Sequence, residues 1–311
     1  PWAWMQGKYP ERALGYSDTA YVCSPNYSLG SNAQVPNHMF EVAGLLQIGT
    51  AGVVDADPGQ ILPQLLTHAS YGAGFPAARL WDTATYGAYC RAAGIVLSPV
   101  LQEQQEAREH INLLLQQTNS AAVWSGGKLK IIPYGDEALT GGGASYTPNL
   151  TPVYDLTDDD YLVGGAEDPI TVERKSIADA YNQVTIEYLD RANSYNIATA
   201  TAKDQLAIEK YGLRPADPVK MHGICVGQVA QTVAQIELQR ALYIRNLYKF
   251  RLGWRYCLLE PMDLVTLTDS GLGFVKLPVR ITEIEESSDG DLSITAEDYP
   301  FGVASATAHP G

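Results

Sequence analysis

One stretch constrains the fold more than any other. Tyr248, Phe250, Leu252, Trp254 and Tyr256 alternate with Lys249, Arg251, Gly253 and Arg255. An apolar residue at every second position gives a strand one buried face and one wet face, so the spacing predicts a strand across 248–256. Glu260-Pro261-Met262-Asp263 follows, then Leu264-Val265-Thr266-Leu267-Thr268-Asp269. Proline fixes φ and aspartate bonds nearby backbone, so Pro261 and Asp263 predict a tight turn into a second strand. The same alternation recurs at Val184, Ile186 and Tyr188, at Val275, Leu277, Val279 and Ile281, and at Leu292, Ile294 and Ala296. Strands in such number, joined by turns, predict a barrel or sandwich.

Elsewhere the period changes. Residues 1–55 read as β-rich, with strands at Tyr16 to Cys23 and Asn37 to Ile48 around a turn-rich segment, Ser24 to Asn32. Residues 56–135 read as a small α/β module. Asp57-Pro58-Gly59 opens a helix through Ile61, Leu62, Leu65 and Leu66, because Asp caps well and Pro suits the first helical position. Asp82 caps a second helix that Gly94 ends, and Ile95-Val96-Leu97 forms a short strand. A third helix runs from about Leu101 to Thr118, with Ala107, Ile111, Leu114 and Leu115 on one face. Ala121 to Trp124 and Lys128 to Ile132 make a hairpin about Ser125-Gly126-Gly127.

Residues 136–168 are a connector punctuated by Gly141-Gly142-Gly143, Pro148, Pro152 and Asp158-Asp159-Asp160. Its length without periodicity predicts a flexible or functional loop. Residues 169–311 return to strands, interrupted by one long helix over about 227–246. Ala230, Ala234, Leu238, Ala241 and Leu242 form one apolar stripe of that helix, and Val229, Val233 and Ile236 form another. Two apolar sides predict a helix covered on both, in part by a second subunit. Val233, Leu238 and Leu242 of this helix, together with Trp254, are the candidate interface residues. The fold class is α+β, mainly β.

Composition narrows the partners. A net charge of -14 disfavours broad nucleic-acid binding, which needs a basic surface to displace counterions from phosphates. It disfavours anionic membranes too. No run approaches the ~18 apolar residues of a membrane span. Residue 1 is Pro, with no signal peptide ahead of it, and the expectation is a fragment or processed product. Cys23, Cys90, Cys225 and Cys257 are scattered, without a CxxC pair, and read as buried free thiols in a reducing compartment. Nineteen tyrosines suit sheet surfaces and protein interfaces.

No catalytic constellation emerges. Asp155 and Asp158-Asp159-Asp160 offer carboxylates for calcium, but lack the Gly and Glu spacing of an EF-hand loop, so a solvated acidic loop is the better reading. His38, His68, His110, His222 and His309 show neither HExxH nor paired spacing. Glu103, Glu106 and Glu109 share a helix neighbourhood and read as a polar face rather than a glycosidase pair. No GxSxG elbow is present, and Gly141-Gly142-Gly143 lacks the GxxxxGK[ST] frame of a phosphate loop. Neither a catalytic metal nor a cofactor is expected, and the chain reads as a non-enzyme.

Taken in order, several segments carry a resemblance. They are Ala20-Tyr21-Val22, Pro36 to Val42, Asp55-Ala56-Asp57-Pro58, Tyr181 to Tyr188, Tyr211-Gly212-Leu213-Arg214, the helix around Ala230 to Ala241, Leu252-Gly253-Trp254-Arg255, and Pro261 to Val265. Across nearly its whole length the chain resembles the putative phage tail protein family, the tail-tip or baseplate hub proteins of long-tailed phages and gene transfer agents. Met262 departs from the Gly expected in the family's Pro-Gly-Asp turn, which puts the turn type in question.

The resemblance implies two hub-type β-barrels, the first begun by residues 1–55 and the second within 169–311, with 56–135 inserted. It implies a homotrimer whose six barrels form a ring, located at the tail tip of the virion and assembled in the host cytoplasm. The implied partners are the distal tail protein, tail tube protein, tape-measure protein and receptor-binding tip proteins, with DNA passing transiently through the lumen. A baseplate cell-wall hydrolase and a carbohydrate-binding adhesin are the alternatives.

Overall fold

The computed structural model describes residues 2–15, 21–28, 37–38, 40–42, 44, 54–101, 106–163, 168–176 and 180–304. The chain divides into two units, Pro1–Ala43 and Gly44–Gly311. In the first, helix α1 (Ala3–Lys8) precedes a 3-10 turn at Pro10–Arg12, and Trp2 stacks on Trp4 with ring centroids 4.9 Å apart. Most of the strands expected at 16–23 and 37–48 lie outside the described residues.

The second unit begins with a cap. The Asp57 carboxylate accepts from the Gly59 N–H at 2.8 Å and starts α2 (Pro58–Thr67). Pro63 sits inside α2, cannot donate to the Gly59 carbonyl, and the Thr83 hydroxyl does so instead at 2.9 Å. Helix α3 (Ala84–Ala92) follows, with Asp82 accepting from the Ala84 N–H at 3.0 Å. Ile95–Leu97 is not a strand; Leu97 makes one antiparallel bridge to Ala56. Helix α4 (Ala107–Gln117) starts later than its apolar spacing predicts, and 102–105 lie outside the described residues. The expected hairpin forms from β1 (Ser120–Ser125) and β2 (Lys128–Pro133).

The glycine run of the connector is a packed turn. It joins β3 (Leu139–Gly141) to β4 (Ala144–Tyr146) against the C-terminal end of α3. A Cβ at Gly141 would stand 2.7 Å from the Ala92 carbonyl oxygen, and one at Gly142 2.7 Å from that of Arg91. Close backbone approach, which only glycine allows, explains the run better than flexibility does.

Two sheets complete the unit. The first contains β5 (Tyr154–Leu156), β6 (Ile170–Arg174), β10 (Asn246–Leu252), β11 (Leu264–Asp269), β12 (Phe274–Glu286) and β13 (Leu292–Asp298) in the order β5-β11-β12-β13-β10-β6. All neighbours are antiparallel except β5 and β11. Beyond β5 the chain crosses towards the other edge, where Tyr161 bridges Leu252. Among the described residues the sheet does not close by a continuous ladder, so an open six-stranded sheet stands where a barrel was expected. Its core holds Phe250, Leu252, Val265, Leu267, Val279 and Ile281.

The second sheet contains β7 (Gln183–Asp190), β8 (Asn196–Lys203) and β9 (Val219–Lys220) in the order β8-β7-β9. A short helix α5 (Gln205–Tyr211) follows β8, and the long helix α6 (Gly227–Tyr243) packs on β7 and β8. Val184, Ile186 and Tyr188 point into this core as their alternation predicts. The core is shared with α2, α3 and α4, so the long helix joins the α/β module and does not line the six-stranded sheet's core.

Two boundaries differ from the periodicity. Helix α6 ends at Tyr243 because the Asp298 carboxylate takes the Arg245 and Asn246 N–H groups, at 3.2 and 2.8 Å, and turns the chain into β10. Strand β10 ends at Leu252, and Trp254–Tyr256 form a 3-10 turn. That turn keeps Tyr256 buried and leaves Trp254 54% exposed. Apolar residues at every second position thus continue past the end of the strand.

Candidate assembly surfaces

The four candidate interface residues have different surroundings. Val233 and Leu238 are 2% and 5% exposed, within the core shared by α6, the small sheet and the α/β module. Leu242 is half-buried against the same core. Both apolar sides of α6 are therefore covered largely by this chain itself. Trp254 is the one of the four on open surface.

The acidic run is tied down by hydrogen bonds. Asp160 accepts from the Thr157 N–H and hydroxyl, both at 2.9 Å, and from the Tyr256 hydroxyl at 2.5 Å. Burial opposes its ionisation, but these donors outweigh burial and hold the carboxyl below the usual range. Burial and the Asp160 charge push the Tyr256 hydroxyl up to about 12. Asp158 accepts from the Ser270 N–H at 3.2 Å, and Asp155 from Thr266 at 2.5 Å and Lys276 at 2.7 Å. The Lys276 bond is the main reason Asp155 sits low. These carboxylates pin the loop after β5 to the neighbouring strands. Among the described residues no group of three or more His, Cys, Asp or Glu is placed to hold a metal ion.

Charge also joins the elements. Asp55 accepts from both terminal nitrogens of Arg191 and from the Ser98 hydroxyl, while Asp57, already capping α2, pairs with Arg91 at 2.7 Å. Burial raises Asp55, yet Arg191 and Ser98 outweigh it and hold the carboxyl below 3.8. Between the two cores, Arg240 of α6 lies 3.6 Å from the Tyr134 ring centroid, and Arg280 of β12 lies 5.1 Å from it. Arg280 also stacks over Tyr299 at 4.5 Å and donates to the Tyr134 carbonyl at 3.2 Å. Guanidinium planes suit such aromatic faces, so this knot fixes one core against the other. Sequence spacing gave no sign of it, because its members come from four distant segments.

An open cleft of about 700 Å³ runs beside the β1–β2 hairpin, lined by Trp124, Leu258, Met262 and Ile284. Trp124 and Leu258 are 58% and 77% exposed. Across it Ser125 donates to Glu260 at 2.5 Å. Met262 has φ +78°, and the Asp263 N–H donates to the Glu260 carbonyl at 3.1 Å. Proline at the second position and positive φ at the third define a type II turn. The turn thus keeps the geometry that glycine would favour, with methionine in its place. The exposed Trp124 and the half-buried Met262 on this rim are residue types that protein interfaces concentrate.

No helix among the described residues is long and apolar enough to cross a membrane. No curated protein sequence matches the chain. One chain of the native gene transfer agent virion superposes with a TM-score of 0.55 at 17% identity, over 85% of this chain and 64% of that one. The 43 kDa tail protein of prophage MuSo2 from Shewanella oneidensis gives 0.41 at 18% identity, over 64% of this chain and 56% of that one. A tail protein from Neisseria meningitidis gives 0.43 at 12% identity, over 68% and 61%. The chain thus spans less than two thirds of the length of each. A family model described as "Putative phage tail protein" matches residues 106–284, which include α4, α6, the small sheet and most of the large one. On that match the chain belongs to the putative phage tail protein family.

Proposed function

We propose that this protein is a structural hub at the distal end of a phage tail, trimeric in the assembled virion, joining the tail tube to the tip and bounding the channel through which DNA leaves. Family membership across both sheets is the observation that carries the reading. The cleft beside Trp124 and the exposed Trp254 supply apolar surface for neighbours in the tail. The partners in this reading are the distal tail protein, tail tube protein, tape-measure protein and receptor-binding tip proteins. The work of a hub is done by surfaces, and the acidic loop and buried ion pairs serve to hold those surfaces in place.

Electrostatics favours a lumen that is acidic or neutral. Carboxylates repel phosphates, whereas clustered Lys and Arg would release counterions and retain DNA. Thirty-five acidic against twenty-one basic residues make that sign available. Gold-labelled antibody to this chain on purified tails tests the position. Label confined to the distal end supports the reading, and label along the whole tube contradicts it.

A further inference from the structure

Among the described residues, strand β8 pairs with β7 alone and leaves its other edge open. It pairs with β7 in continuous register from Asp190↔Asn196 to Gln183↔Lys203, without a bulge. On the far side of β7, the Gln183 and Glu187 carbonyls accept from Ala216 and Met221, and the Leu189 and Arg191 N–H groups donate to Ile224 and Cys225. The odd-numbered residues of β7 therefore spend their backbone groups away from β8, and the even-numbered ones face it. By the alternation of an antiparallel ladder, Ala198, Ala200 and Ala202 bond to β7, while Ile197, Thr199, Thr201 and Lys203 turn their N–H and C=O groups outward. Gln231 confirms the direction: its amide reaches from α6 to the Thr201 carbonyl at 3.3 Å.

Proteins blunt an exposed edge with charge, proline, a bulge or a short strand. Asn196-Ile197-Ala198-Thr199-Ala200-Thr201-Ala202-Lys203 has eight residues, no proline, no bulge and one charge, at its end. Ile197 is 61% exposed. Such an edge is a template for another strand.

The sequence of the edge fits its own copy. An antiparallel pair centred on Ala200 sets Thr199 opposite Thr201 of the second copy and Ile197 opposite Lys203. Both are pairs whose backbone groups face outward and can be exchanged, once the Gln231 amide yields the Thr201 carbonyl. Threonine pairs are favourable across strands, and the single charge meets an apolar residue, not its own twin. The helices fit as well. With strands about 4.8 Å apart, two α6 helices lying over β7 and β8 come to stand about 10 Å from each other, an ordinary packing distance. Gln228 and Gln231, exposed on α6, carry no charge to oppose the approach.

We infer that the β8 edge pairs antiparallel with the same edge of a second copy of this chain, about a two-fold axis through Ala200. This contact belongs to the isolated chain in solution and is independent of the threefold arrangement in the tail.

The test is sedimentation of the full chain over a concentration series, with hydrogen exchange at the edge amides. The mass rises to that of two chains, and the Ile197, Thr199, Thr201 and Lys203 amides become protected as it does. Thr199→Pro removes an outward N–H at a position where an edge strand tolerates proline, and holds the chain at single mass. Should that variant unfold, Thr199→Lys with Thr201→Lys places like charges opposite each other and also gives single mass. Thr199→Lys with Thr201→Glu places opposite charges there and keeps the pair. Single mass of the natural chain at every concentration overturns the inference. So does a dimer with unprotected edge amides, or one that survives both disruptive variants. Protection that does not vary with concentration overturns it too, because the edge is then covered by the chain's own residues.

Discussion

The Thr83 hydroxyl donates at 2.9 Å to the Gly59 carbonyl, the acceptor that Pro63 leaves without an N–H partner inside α2. Helix α2 can thus keep a proline in its interior, because a side chain from the loop before α3 replaces the missing bond. Thr83→Val keeps the shape and removes the donor. It should cost about 1 kcal/mol, the usual net worth of such a bond, with somewhat more if the carbonyl stays dry. Urea unfolding of the two proteins measures this, and an unchanged midpoint would show that water satisfies Gly59.

Met262 stands at φ +78° in a turn suited to glycine. A left-handed backbone costs a side-chain-bearing residue about 1–2 kcal/mol. Met262→Gly should therefore stabilise the isolated chain by about 1 kcal/mol, after allowance for glycine's extra entropy when unfolded. If a tail neighbour docks in the Trp124 cleft, as proposed, the same change should weaken its binding, since Met262 lines the cleft. Thermal unfolding reads the first effect, and co-assembly with the purified tail proteins reads the second. A destabilised Met262→Gly would mean that packing of the side chain outweighs the strain.

Asp55 gives a pH dependence with a definite sign. Its folded pKa lies below 3.8, so the unfolded chain binds its proton first as the pH falls. Its contribution is fully present above the unfolded value and is lost as the pH drops through the folded one. Asp55→Asn should reduce stability at pH 7 and flatten its fall below about pH 4. Denaturation midpoints between pH 3 and 7 check both. Parallel curves for the two proteins would remove Asp55 from the account.

Leu238 is 5% exposed inside the chain's own core. Leu238→Asp should abolish folding of the isolated chain, because a buried unpaired charge costs about 3–5 kcal/mol. Trp254→Ala should leave folding unchanged within about 0.5 kcal/mol and affect only assembly. Circular dichroism of the isolated variants separates the two roles. A well-folded Leu238→Asp would place that residue at a subunit contact after all.

The two periodicities were legible because burial writes them directly. Val184, Ile186 and Tyr188 alternate into one core, and Leu292, Ile294 and Ala296 into another. Asp57-Pro58 announced the start of α2 through a local cap. What stayed hidden depends on partners far along the chain. Asp298 ends α6 from more than fifty residues away, and the carbonyls of Arg91 and Ala92 decide why Gly141 and Gly142 are glycines. Trp254 keeps the apolar spacing of β10 although the strand has ended, so periodicity alone places it on the wrong side of the boundary. The Arg240–Tyr134–Arg280 knot has no sequence signature at all.

The hub reading is tested most directly by a density map of the assembled tail tip. Three copies of this chain should stand around the tail axis, with Asp and Glu side chains or neutral surface facing the lumen. A non-threefold arrangement, or a lumen ringed by this chain's Lys and Arg, would contradict it.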